Sequence, residues 1–215
     1  MVSAMLSVLL AAAPAPCFSQ APQTTSPAVT APTATNSSYA LMVDRLRAGD
    51  STVDFTALRT AFTRTPAYRG MMMAFYQPLW RTLNAGDFEG AVKVADRVLD
   101  QNYAEPNAHM VAALAHRALG HIEQADFHLA VADGLIKSIT SKGDGNTVES
   151  AYQVIDISEE YALFRAMKVS MKSQAMVGSP VEGRPIVDRV VVVDSRTNEE
   201  RTMFFSVDNP TTVRR

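Results

Sequence analysis

The sequence predicts an α+β fold that is mainly α: tetratricopeptide-like helix pairs followed by a small antiparallel sheet or hairpin. Three observations predict it. A glycine-led turn occurs twice, as Gly86-Asp87-Phe88-Glu89-Gly90-Ala91 and as Gly120-His121-Ile122-Glu123-Gln124-Ala125, 34 residues apart. That spacing is the tetratricopeptide period. Phe55, Leu58, Ala61 and Phe62 fall on one helical face. Far downstream, Val187–Val193 is β-branched and Arg201–Val207 follows a polar turn over Ser195–Glu200, which together read as a hairpin.

The N-terminus reads as processing and tether rather than fold. Met5–Ala13 is a short apolar run, well under the roughly 20 residues of a membrane span. Ser19-Gln20-Ala21 suits a small-x-small cleavage site, so residues 1–21 are expected to be a signal peptide and the mature protein periplasmic or secreted. The first basic residue is Arg45, so the charged start usual for such a leader is missing. Lipidation at Cys17 is the weaker reading, because Pro14 and Pro16 precede it. Residues 22–40 are rich in Pro, Thr, Ala and Ser and read as a disordered linker that buries too little apolar surface to offset its ordering entropy. Asn36-Ser37-Ser38 is a glycosylation sequon, meaningful only in a glycosylating pathway.

Residues 41–140 carry the helical region. Leu41–Ala48 suits a short helix, and Asp54 is placed to cap Phe55–Phe62. Tyr68–Ala85 is helical in pattern but contains Pro78, which predicts a kink or restart. In the repeated turns, glycine permits the reversal, Phe88 and Ile122 open the second helices and are expected to pack inward, and Ala91 and Ala125 are small where paired helices approach. Trp80 and Leu114 share the period. Tyr103–Pro106 forms the turn between repeats, with Pro106 suited to a first helical turn. The long helix Ile122–Thr140 ends at the turn Ser141–Asn146.

Residues 141–215 read as an α/β tail packed on those helices. Ala151–Ile157 alternates and suggests a strand. Ser158-Glu159-Glu160 is read as the cap of a short helix through Met167, its acids complementing the helix dipole. The strand near Val154 is expected to join the hairpin in a three-stranded sheet, because an isolated hairpin is marginal. Seven stretches stand out together: Asp54–Arg59, Gly86-Asp87-Phe88, Ala108-His109, Gly143–Thr147, Ala151–Ile155, Glu159-Glu160-Tyr161 and Phe204-Phe205. In combination they resemble the domain of unknown function 4919 family of exported bacterial proteins. The resemblance covers about Asp54 to Val207. It supports the architecture and implies no catalytic residue.

Composition and motifs narrow the function. The 215 residues carry a formal net charge of -2, and aromatics make up 7%. Neither a basic surplus nor stacking platforms are present, so nucleic acid is not an expected partner. Cys17 is the only cysteine, which leaves the expected mature chain without disulfides or thiol chemistry. No phosphate loop, nucleophile elbow or zincin spacing occurs, so no catalytic residue, metal ligand or cofactor is assigned. His109, His116, His121 and His128 could meet across paired helices, but structural histidines are the better reading. Lys142–Glu149 has only a fragment of a calcium loop. Met71-Met72-Met73 point different ways on a helix and read as core packing.

The leading expectation is a non-catalytic module that binds a protein or peptide on the concave face of stacked helices. Thr82, Asn84, His116 and Arg117 are its candidate ligand-binding residues. The alternative is an enzyme whose site would join the histidines to Asp144 and to Glu159-Glu160-Tyr161. A third reading is an accessory subunit whose sheet edge pairs with a partner.

Overall fold

The computed structural model describes residues 34–69, 76–178 and 187–207. The leader over 1–21 with Cys17, residues 22–33 of the linker, and Met71–Met73 lie outside them.

Eight helices and four strands make up the described chain. Helix α1 (Ala34–Arg47) starts ahead of the expected Leu41 and takes in residues 34–40 of the stretch read as linker. Its buried Val43 and Leu46 tie it to the helical core. Asp54 caps α2 (Phe55–Phe62), its carboxylate accepting the backbone N–H groups of Thr56 and Ala57. The short α3 (Pro66–Arg69) is followed by α4 (Tyr76–Asn84), which contains Pro78. The expected kink or restart turns on residues 70–75, which lie outside the described residues.

The repeated turns then build paired helices. Helix α5 (Phe88–Gln101) follows Gly86 at φ 75, and α7 (Ile122–Thr140) follows Gly120 at φ 79. Both glycines adopt a left-handed conformation that a side chain would strain. Helix α6 (Pro106–Ala118) packs between α5 and α7 and begins with proline after the Glu105 cap. Ala91 and Ala125 are completely buried. Phe88 packs partly buried against the core, but Ile122 is 53% exposed and does not pack inward as expected.

The tail forms a four-stranded mixed sheet in the order β1-β4-β3-β2. Strand β1 (Tyr152–Val154) runs parallel to β4 (Glu200–Val207), with Tyr152 opposite Phe205. Strands β3 (Val187–Asp194) and β4 form the expected antiparallel hairpin. Strand β2 (Val169–Val177), which the sequence did not suggest, adds an antiparallel edge on β3. The small antiparallel sheet is thus corrected to four strands with one parallel pair. Strand β2 leaves no pattern in the sequence because Ser170–Met176 are all exposed, which erases the alternation that marks a half-buried strand.

Helix α8 (Ile157–Ala166) packs against α6 and α7 on one side and against β1 and β2 on the other. Its cap is Asp156, which accepts the Ser158 N–H at 2.8 Å, and not Ser158 as expected. Ser158, Glu159 and Glu160 are buried instead, facing the helical half and the sheet. One apolar core gathers α1 to α7 and Ile155. A second gathers Ile139, Leu163 and Phe164 with the sheet residues Val190, Val192, Met203 and Phe205.

Candidate functional site

Where α8 ends and β2 begins, a groove of about 750 Å³ opens between the helices and the tail. That is the size of a pocket for a small ligand or a few side chains. Trp80 of α4, Leu114 of α6, Leu129 of α7 and Phe164 of α8 supply its apolar walls. Leu114 and Leu129 are 51% and 41% exposed, an unusual expense of apolar surface for side chains facing the same concavity.

The polar rim is unequal in charge. Arg117, Arg165 and Lys168 line it against a single acid, Asp133. Arg117 is held at 2.5 Å by Asp126 across the turn between α6 and α7. Arg165 lays its guanidinium over the Trp80 ring, 4.3 Å from the centroid. Its Nη1 donates to the Asn107 side-chain carbonyl at 3.0 Å and to the Tyr161 backbone carbonyl at 3.1 Å, two neutral acceptors. Partial desolvation draws its pKa down, an effect opposed by the nearby Glu105. Asn107 is itself gripped by Glu105 and Ser158, so the arginine rests on an ordered base. The buried Trp80 Nε1–H has no hydrogen-bond partner among the described residues.

The candidate residues from the sequence divide among several places. Arg117 lines the groove. Thr82 turns its hydroxyl back onto the carbonyls of Pro78 and Leu79 in its own helix. Asn84 is exposed at the end of α4 and does not line the groove. His116 belongs to a row of histidines. Trp80, Arg165 and Lys168 were not singled out for this role. Only folding brings α4 against the end of α8, and no local motif marks that junction.

The histidine row runs from core to surface. His109 is completely buried, and its Nδ1 lies 2.9 Å from His128 Nδ1. Its Nε2 lies 3.0 Å from the Tyr103 carbonyl, which can only accept, so Nε2 carries the proton and Nδ1 receives one from His128. The rings of His128 and His116 stack 5.6 Å apart at 10°, and His116 Nδ1 lies 3.3 Å from His121 Nδ1. Burial, reinforced by His128, pushes His109 down to about 3. Burial and then His116 push His128 down to about 4. Among the described residues no group of three or more histidines and acids is arranged to hold a metal ion.

The acids of the alternative enzymatic reading are engaged elsewhere. Asp144 accepts the Ser150 hydroxyl at 2.6 Å and the Asn146 N–H at 3.0 Å within its turn. Glu159 receives both Nε and Nη2 of Arg59, at 2.7 and 2.6 Å. Burial, then Asp188, pushes Glu160 up to about 8, and its Oε1 has no partner among the described residues. No hydrogen bond or ion pair among the described residues joins these acids to the histidine row.

No curated protein and no solved structure matches the chain. The family model described as Domain of unknown function (DUF4919) matches residues 29–214. With a match over that much of its length, the chain belongs to the DUF4919 family.

Proposed function

We propose that the chain is a non-catalytic binding module of the periplasm or cell envelope, built on tetratricopeptide-like helix pairs, that takes a segment of a partner protein or peptide. The observation that carries this reading is the groove at the end of α8. Four helices converge there to leave Leu114 and Leu129 exposed beside Trp80, with cations at the rim. Apolar surface gathered in a concavity and bordered by charge is how a protein presents a recognition site. The cleavable leader read in residues 1–21 supports the location.

The test is co-purification from the native envelope fraction, comparing the wild-type chain with Leu114→Asp and Leu129→Asp. Both positions are exposed, so the folded state should survive, as circular dichroism will show. A stoichiometric protein that the wild type retains and both variants lose is the expected result. Equal recovery by the variants sinks the reading.

A further inference from the structure

The residues at the foot of α8 carry the groove's chemistry one step further. Lys168 has φ 56, one of two positive-φ residues other than glycine among those described. It occupies the position just beyond the helix end where glycine is the unstrained choice. Its N–H donates to the Arg165 carbonyl at 3.1 Å, and its own carbonyl accepts the Ser195 N–H at 3.0 Å, which fixes the strained turn in place. A cation near a helix C-terminus complements the dipole, but any nearby position would do that without strain. A side chain kept on a strained backbone position beside a groove points to a use for that side chain.

The charges agree. Among the described residues, neither Lys168 nor Arg165 pairs with a carboxylate, whereas Arg117 is already matched by Asp126. Arg165 is held flat on Trp80 with only neutral acceptors, a cation presented beside an apolar wall. Such a pair is completed by an anion attached to an apolar body. Asp133 and Ser195 line the same groove. They offer hydrogen bonds to the amide groups of a peptide and nothing to a hydrocarbon tail.

We propose that the groove selects an acidic apolar segment of a partner protein, with leucine-like side chains against Trp80, Leu114 and Leu129 and a side-chain carboxylate held by Lys168 and Arg165. This rests on the binding-module reading above and names the chemistry of its ligand.

Trp80 is the only tryptophan in the chain, so its emission reports the groove directly. The full mature chain is titrated at low salt with a short peptide of leucine and glutamate blocked at both ends. Its leucine and glutamine counterpart and dodecanoate serve as comparisons. The glutamate peptide should shift Trp80 emission and bind about tenfold tighter than the glutamine peptide. Lys168→Ala should abolish that difference and Lys168→Arg should keep it. Lys168→Gly should abolish it while raising the melting temperature by a few degrees, through release of the turn strain.

Equal affinity for the two peptides overturns the proposal, as does an acid preference that survives in the alanine and glycine variants. A response to dodecanoate with both peptides silent overturns it in favour of a lipid acid. Partner capture that depends on Leu114 while the two peptides bind alike overturns the acidic selectivity and leaves the binding module standing. An acid preference together with partner capture indifferent to Leu114 supports the groove's chemistry and removes the protein found by co-purification as its occupant.

Discussion

Arg59 and Glu159 are separated by 100 residues in sequence and meet in two short hydrogen bonds with both side chains buried. Around them Arg59 also donates to the Ser138 hydroxyl and the Gln153 carbonyl, and Glu159 accepts the Ile155 N–H. Nearly every polar atom is therefore answered, which is the condition under which a buried pair is tolerated. Burial raises the Glu159 pKa, and Arg59 and the Ile155 N–H work against it. Glu159→Gln keeps the shape and leaves the guanidinium buried without a counter-charge. Urea denaturation should show a loss of about 3 kcal/mol, the usual consequence of removing one partner from such a pair. A loss within 0.5 kcal/mol, which is about what an exposed substitution costs, would contradict this account. The sequence shows Glu159 only as an acid in a first helical turn that complements the dipole. Its partner comes from α2, and local pattern carries no trace of it.

The helices show which features are legible before folding. Gly86 and Gly120 could be found because the requirement they meet is local: a turn that needs positive φ. Asp54 and Pro106 are legible for the same reason: Asp54 accepts orphan N–H groups of its own helix start, and Pro106 has no N–H to leave orphaned at its own. Strand β2 was not, since its exposed residues owe their conformation to β3 alone. Nor was the groove, because Trp80, Leu114 and Lys168 are drawn from three elements joined only by tertiary packing. Gly134 belongs to this second class. It lies in the middle of α7, where glycine weakens a helix, yet a Cβ there would come within 2.2 Å of the Phe55 ring. The missing side chain lets α2 approach α7. Gly134→Ala should therefore destabilise the chain by about 1–2 kcal/mol despite its better helix propensity. In a Phe55→Ala background the same change should be neutral or stabilising, which a double-mutant cycle reads as coupling. Stabilisation by Gly134→Ala alone would mean that Phe55 moves aside freely.

At the scale of the whole molecule, two sets of buried groups make opposite demands on pH. His109 and His128 have folded pKa values of about 3 and 4, below the ordinary 6.5. Between these limits the unfolded chain binds more protons, so their contribution to stability is complete above 6.5 and is lost as pH falls. Glu105 and Glu160 are pushed up to about 7 and 8 from 4.5, chiefly by burial. For them the folded chain binds more protons, so their contribution is complete below 4.5 and is lost as pH rises through 7 and 8. From pH 4.5 to 6.5 the two slopes oppose one another. Below that interval the histidines act without compensation, joined by Asp50, Asp144 and Asp194, whose hydrogen bonds lower their pKa values. Above it these glutamates act without opposition from the histidines, and Glu159, whose pKa burial also raises, acts in the same direction. Melting temperature should accordingly have a broad maximum in mild acid and fall on both sides. Glu160→Gln removes the higher-titrating carboxyl and should flatten the alkaline limb while leaving the acid limb in place. His128→Gln should do the reverse. The histidines of the acid limb lie in the α6–α7 pair, whereas the alkaline limb is shared between Glu105 at the start of α6 and Glu160 on the buried face of α8. A melting temperature that rises steadily from pH 5 to 9, or a Glu160→Gln variant with an unchanged alkaline limb, would show that these groups do not govern the profile. If the variants separate the limbs, the buried histidines set the acid limit and the buried carboxyls the alkaline limit of one folded unit. The groove walled by α6, α7 and α8 would then be intact only between those limits.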